Sequence, residues 1–365
     1  MQGPLLFHAG SEEWGDWQWQ IAHCVKSLST LQSLSQGAFS PDDEMLRTER
    51  TYPMLTTPFY LSLAQNWSPD DPVLAQVLPM RRELDPYPEC SDDGLAEEAF
   101  SPVPRLVHRY RDRTLFLTTS CCAVRCRHCM RKRLWGHPVP VADDSTLGRC
   151  ADYLNAHPEV REILISGGDP LLLTDKEISR VLHAFASVPS VKMLRIGTRT
   201  LVALPQRITT ALCEILEATG KSVWIATHFN HPQELTDEAA QAVRRLLAHG
   251  VPVVNQSVLL KGINDSADTL AELFTRLLDI RIKPYYLFHG DPIQGAGCFR
   301  TGLGKGLSIM AELRGKVSGM ALPAFAFDLP EGGGKIRLEP DFQRGATSDG
   351  APVFEKLDGA CVPYR

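Results

Sequence analysis

The sequence contains no run of about 18 consecutive apolar residues, the length that a membrane-spanning helix requires. Its opening stretch, MQGPLLFHAGSEEWGD, has no basic segment followed by a long apolar one, so no secretory signal is expected and the chain is assigned to the cytoplasm. No excess of positive charge is present: 38 Lys and Arg stand against 43 Asp and Glu, a formal net charge of -5. Nothing in that balance calls for a nucleic-acid partner. A nucleotide-binding loop of the form G-x4-G-K-[ST] is also missing. In the tract ending at Gly334 and Lys335, Leu329 stands where the first glycine should be, and Ile336 replaces the Ser or Thr. The 365 residues suffice for one or two domains with a sizeable core.

Cysteine is what the sequence does have. There are ten, and four fall between Cys121 and Cys129. In a reducing compartment structural disulfides are rare, and clustered thiols read as metal ligands or catalytic groups. Cys122, Cys126 and Cys129 have the spacing C-x3-C-x2-C. Three thiolates on one loop can wrap one metal centre. Zinc normally takes four protein ligands, and His128 could supply the fourth; a four-iron cluster held by three leaves one iron open. The spacing leaves both readings standing. Cys121 reads as a bystander and the scattered cysteines as small buried hydrophobes. Arg125, Arg127, Arg131, Lys132 and Arg133 crowd the same loop.

The first hundred residues are helical, then irregular. Trp14, Trp17, Ile21, Val25, Leu28 and Leu31 recur at helical spacing and read as a packing face. From Pro53 to Pro104 prolines are frequent and periodicity is poor, as in a segment wrapped over a larger body. Six short β-branched or apolar runs follow, at 114–120, 162–168, 192–199, 222–229, 251–260 and 283–290, separated by helical stretches. Thr174 and Thr236 sit at N-cap positions, Gly220 and Gly250 at C-cap positions. This alternation implies a parallel sheet. Six units are too few for a closed eight-stranded barrel, so a partial barrel or an open sheet is expected, with ligands at the C-terminal ends of the strands.

C-x3-C-x2-C after the first strand of such a repeat resembles the radical S-adenosylmethionine (SAM) enzymes, and ISGGDPLLL at the end of the second strand adds to the likeness. More specifically, SPVPRLVHRYRDRTLFLTTSCCAVRCRHCMRKR, GTRTLVALPQRIT, THFNHPQELT, NQSVLLKGIND, KPYYLFHGD and DLPEGGGKI together resemble the lysine 2,3-aminomutase family, over about Trp14 to Pro340. The resemblance implies an α/β fold: a partial (β/α)6 TIM-like barrel of the radical SAM type. A helical N-terminal region (1–105), the barrel core (106–300) and a short C-terminal segment (301–365) would make up the chain. It implies a [4Fe-4S] cluster on Cys122, Cys126 and Cys129. SAM would lie beside Gly167, Gly168 and Asp169, the glycines giving backbone room to its methionine end. Pyridoxal phosphate (PLP) would be carried on Lys335, its phosphate near Arg113, with Tyr110 between the two cofactors. Arg131 would grip the substrate carboxylate, and Asp291 and Asp328 the far ammonium.

The implied activity is radical 1,2-amino migration interconverting L-lysine and L-β-lysine. The implied partners are an amino acid and a reductant such as flavodoxin or ferredoxin, in a homo-oligomer. Two aspartates at the distal end disfavour glutamate. An arginine 2,3-aminomutase, the enzyme that prepares β-lysine for elongation factor P, and a non-catalytic zinc-binding scaffold are the alternatives. Glu331 departs from the family pattern, in which a glycine is usual, and the family's longer zinc-binding tail has no counterpart before Arg365.

Overall fold

Residues 6–136 and 138–365 are described by a computed structural model. Nine strands form one sheet in the order β1 to β9. The parallel part comprises β2 (Arg113–Leu117), β3 (Glu162–Ser166), β4 (Met193–Gly197), β5 (Ser222–Thr227), β6 (Val253–Leu259), β7 (Lys283–His289) and β8 (Ala324–Leu329). β1 (Leu106–Tyr110) and β9 (Gly334–Leu338) are the edges, each antiparallel to its neighbour. The six expected strands are all present. The seventh, β8, and both edge strands were not expected; the edges LVHRY and GKIRL carry charged residues and are largely half-buried or exposed.

Helices α1 (Asp144–Ala156), α2 (Asp175–Ala186), α3 (Thr210–Glu217), α4 (Asp237–Ala248), α5 (Ala267–Asp279) and α6 (Leu303–Lys316) join the parallel strands in turn. The expected caps form. Thr174 and Thr236 accept backbone N–H groups of the first turn, and Gly220 and Gly250 take the left-handed conformation just past their helices.

In β2, β3 and β4 buried residues alternate with half-buried ones. Phe116, Ile163, Ile165, Leu194 and Ile196 face the helices, where they join the main apolar core; Phe116 meets Phe185 of α2 edge-on at 4.8 Å between ring centroids. Glu162, Leu164, Ser166, Arg195 and Gly197 point the other way and line a cavity of about 770 Å³. Parallel strands buried on both faces usually read as continuous apolar runs. Here they alternate, because the lumen is an open cavity lined by charged as well as apolar side chains rather than a filled core.

The N-terminal region does not form one long helix. Its apolar stripe is divided among Ser11–Gly15, Trp17–Ala22 and Leu28–Leu34, with Asp16 and Ser27 as caps, and Val25 pairs instead with Thr56 in an isolated bridge. The proline-rich segment does wrap the barrel: Ser91 bridges Ile293 beyond β7. A small antiparallel sheet (Gln343–Ala346, Pro352–Glu355, Cys361–Pro363) follows β9.

The two edges of the large sheet meet at one point. The Tyr110 hydroxyl, at the end of β1, accepts the backbone N–H of Lys335 in β9 at 2.8 Å. Tyr110→Phe should remove this tie and leave the amide half-buried and unpaired, at a cost of about 1 kcal/mol. Hydrogen exchange at the Lys335 amide should then quicken by roughly fivefold, with little change in global unfolding. Unchanged protection at Lys335 would show that β9 is held by β8 alone.

Candidate active site

The cysteine loop leaves the C-terminal end of β2 and is clamped from outside by the N-terminal region. Glu83 and Glu97, both buried, face four of the cations that flank the cysteines. Arg127 forks onto Glu83, its Nε 3.0 Å from each carboxylate oxygen and its Nη2 2.6 Å from one, and Lys132 joins the same carboxylate. Arg131 and Arg133 share Glu97, at 2.7 and 3.1 Å. Lys132 is not a solvated surface cation. It is 2% exposed, and burial lowers its pKa to about 8 in spite of Glu83.

The β3 turn locks onto the loop from inside. A Cβ on Gly167 would stand 2.4 Å from the Thr119 carbonyl oxygen, and one on Gly168 would stand 2.2 Å from that of Cys121. Gly167 also has φ +132. The glycines are thus required by loop-to-turn packing, a different reason from the ligand access expected of them. Asp169 is also committed within the protein. Its carboxylate accepts from the Thr198 hydroxyl at 2.7 Å and from the Arg199 and Leu171 amides at 2.9 and 3.1 Å, tying the β3 turn to the end of β4. It positions the turn while lining the lumen beside Gly167 and Gly168.

Cys122, Cys126 and Cys129 all line the lumen, whereas Cys121 is exposed and does not. Burial, then the neighbouring Cys126, pushes the Cys129 thiol up to about 11, and burial with Cys129 beside it pushes Cys122 well up. Such thiols become thiolates when a metal takes them. Among the described residues no three His, Cys, Asp or Glu converge closely enough to hold a single ion. One zinc needs its ligands at about 2.0–2.3 Å from a common point. Three cysteine thiols at the lumen are the donor set of a four-iron cluster that leaves one iron open. His128 is buried instead against Phe299 and Asn230 and is held neutral by burial.

Arg199 is a site residue that sequence reading missed. Its Nη1 donates to the Cys126 sulfur at 2.7 Å, while Nη2 meets Glu234, Gln76 and Tyr60 at 2.7, 2.6 and 3.0 Å. Its place at the end of β4, where ligands gather in such folds, was the available signal. Glu97 was missed too, and an isolated glutamate in an irregular segment gave no signal.

Lys335 lies on the cavity wall opposite. Register pairs it with Asp328 across β8 and β9, and its ammonium forms an ion pair with that carboxylate over the Phe288 ring. Asp328, expected to face a substrate cation, is therefore already the partner of Lys335. Asp291 lines the same cavity, and burial followed by the neighbouring Asp328 raises its pKa to about 7. Arg113 stacks its guanidinium 3.8 Å from the Tyr110 ring centroid, and Arg195 and Arg337 line the same lumen. A lysine amine, aromatic rings and three guanidiniums in one chamber fit a phosphorylated aromatic aldehyde such as PLP. Arg131 is held by Glu97 through Nε and Nη2, with Nη1 directed at Ser166 Oγ (3.2 Å) and the Gly167 carbonyl (3.4 Å).

A partial barrel with a three-cysteine loop on its first parallel strand defines a radical SAM protein, and residues 116–274 match the radical SAM superfamily. Residues 310–364 match a second family, described as lysine-2,3-aminomutase. The chain is 40% identical to L-lysine 2,3-aminomutase of Bacillus subtilis over 97% of its own length and 74% of that protein. It is 38% identical to the L-lysine 2,3-aminomutase of Clostridium subterminale over 99% and 86%. A glutamate 2,3-aminomutase of Clostridioides difficile is 35% identical over 92% and 79%. The chain belongs to the lysine 2,3-aminomutase family of isomerases.

Superfamily membership implies an iron–sulfur cluster and SAM. Cys122→Ala, Cys126→Ala and Cys129→Ala should each lose the brown absorbance and SAM cleavage, and Cys121→Ala should keep both. Retention of a full cluster in Cys122→Ala together with its loss in Cys121→Ala would move the ligand set by one residue.

Proposed function

We propose that this protein is an L-lysine 2,3-aminomutase, moving the α-amino group of L-lysine to C3 to give L-β-lysine. The observation that carries the reading is the placement of Lys335, Asp328 and Asp291 on one wall of the cavity that the three cysteines also line. When bound, the cluster and SAM supply a radical that removes and returns hydrogen, and PLP supplies the conjugated carrier for the migrating nitrogen.

The protein's own groups do the rest. Cys122, Cys126 and Cys129 hold the cluster, Arg199 adds positive charge beside Cys126, and Gly167, Gly168 and Asp169 fix the turn against which SAM lies. Lys335 holds PLP, and its phosphate would draw on Arg113, Arg195 and Arg337, which also meet Asp112, Glu162 and the Tyr286 hydroxyl. Tyr110 ties the Lys335 strand to the opposite edge. Arg131 would offer the substrate carboxylate its Nη1 edge, which otherwise donates to Ser166 Oγ and the Gly167 carbonyl, and Glu97 keeps the fork from swinging. At the far end the charges balance: Asp328 serves Lys335 and Asp291 serves the substrate ammonium. A glutamate side chain would set a third carboxylate there and leave none of the three fully paired. Binding inside the barrel lumen would keep reactive species away from bulk water. The reading also carries a cytoplasmic setting, a reductant such as flavodoxin or ferredoxin, and assembly as a homo-oligomer.

An anaerobic assay against lysine, arginine and glutamate tests the substrate; faster turnover of arginine by iron-replete protein would overturn it. Lys335→Ala should lose the borohydride-trapped PLP adduct while keeping its iron, and an adduct found on another lysine would reassign the anchor. The pH dependence has a definite sign. A carboxyl raised to about 7 is largely protonated below that pH, so its ammonium partner must displace a proton to bind. Lysine KM should therefore fall as pH rises toward 7, by up to about tenfold per unit, and then level off. Asp291→Asn should flatten this slope and raise KM about a hundredfold or more, the cost of a buried ammonium left unpaired. An unchanged slope in Asp291→Asn would assign the proton to another group.

A further inference from the structure

A second cavity, of about 450 Å³, lies behind the aspartates and opens outward past the exposed Glu89, Lys261 and Pro330. His289, Gly290, Asp291 and Asp328 line both this chamber and the main lumen. The two carboxylates are therefore a partition with space on either side. The N-terminal wrap builds the outer wall, where the Tyr87 ring seats against Gly297 so closely that a Cβ there would lie 2.5 Å away.

The cations near this chamber are mostly committed. Arg300 donates its Nε to the Gly290 carbonyl at 3.0 Å and pairs its Nη1 with Glu89 at 3.2 Å. Lys335 is taken by Asp328. The His289 ring, held neutral by burial, meets the Thr301 carbonyl at 2.7 Å. Among the described residues no ion pair is made by Asp291, and the buried Thr301 hydroxyl has no hydrogen-bond partner. An ammonium reaching Asp291 from the lumen thus has open, partly polar space directly beyond its nitrogen.

We propose that the enzyme also accepts amino acids whose side-chain ammonium bears a further small substituent, Nε-methylated lysines being the simplest, with the substituent lodged in this chamber. This rests on the lysine reading above and widens its substrate class. The chamber far exceeds the space a methyl group needs. Charge sets the limit: a methylated amine stays cationic and keeps Asp291 paired, whereas an Nε-acyl group abolishes the cation and leaves that carboxylate desolvated without a partner.

The test is an anaerobic assay of the reconstituted enzyme with lysine, Nε-methyllysine and Nε-acetyllysine, in wild type and in Thr301→Phe, which fills the chamber without breaking a side-chain hydrogen bond. Wild type should turn over Nε-methyllysine within about tenfold of lysine, and Nε-acetyllysine at least about a hundredfold less well, the span by which small pocket mismatches and lost polar pairs discriminate. Thr301→Phe should lower kcat/KM for Nε-methyllysine by about tenfold or more and leave lysine within about threefold. Should that variant fold poorly, Leu303→Trp narrows the chamber from its exposed rim and should show the same selectivity in weaker form. Refusal of Nε-methyllysine by a wild type that processes lysine, or an equal loss for both substrates on plugging, overturns this proposal alone. Failure of iron-replete wild type to process lysine overturns the underlying reading as well.

Discussion

Two buried glutamates hold the site together. Glu83 and Glu97 come from the irregular wrap, and they neutralise Arg127, Lys132, Arg131 and Arg133 around the cysteine loop. Removing one partner of such a buried network costs about 3–5 kcal/mol, since the charge left behind has neither water nor counterion. The loop is short of regular hydrogen bonding, so these pairs fix where its sulfurs stand. They also pin the wrap, whose continuation forms the outer wall of the chamber behind Asp291. Most of the positive charge beside the cysteines thus anchors them from outside, while Arg125 and Arg131 line the lumen.

The opposite wall depends on a hairpin rather than on a barrel strand. β8 carries Asp328 and β9 carries Lys335 in direct register, so the lysine is delivered to the lumen with its counterion beside it. The Tyr110 hydroxyl closes the remaining gap between the sheet edges. Glu331, at the turn of this hairpin, takes φ +56, a conformation a glycine would adopt without strain. Gly332 next to it packs on Phe100, where a Cβ would lie 2.0 Å from the ring. The glycine tract is therefore shaped by close approach to the N-terminal wrap as much as by any need for motion.

Three short motifs far apart in the chain meet in one cavity because each terminates or edges a strand. The cysteine loop follows β2, the glycine turn follows β3, and Arg199 follows β4. Tertiary contacts then redistribute their roles. Asp169 is tied into the turn, Asp328 pairs with Lys335, and most of the basic cluster is taken by the wrap, while Asp291 lines the lumen with no ion pair among the described residues.

What the sequence determined by itself was what local spacing encodes: the repeating strand and helix pattern, the helix caps, the C-x3-C-x2-C loop and the glycine tract ending in Lys335. Those signals lie within a few residues of one another, and helical or strand periodicity carries them directly. The edges β1 and β9 were hidden because LVHRY and GKIRL carry charged residues and are largely half-buried or exposed, which blurs the strand pattern, whereas β8, AFAFDL, is as long and apolar as the strands that were legible. Ion-pair assignments were hidden for a stronger reason. Glu83 is 44 residues from Arg127, Glu97 is 34 from Arg131, and Glu234 is 35 from Arg199. A charge declares its type in the sequence, but its partner is chosen by burial, which excludes water and makes the nearest opposite charge decisive. Only the folded chain decides which carboxylates are spent on holding the site.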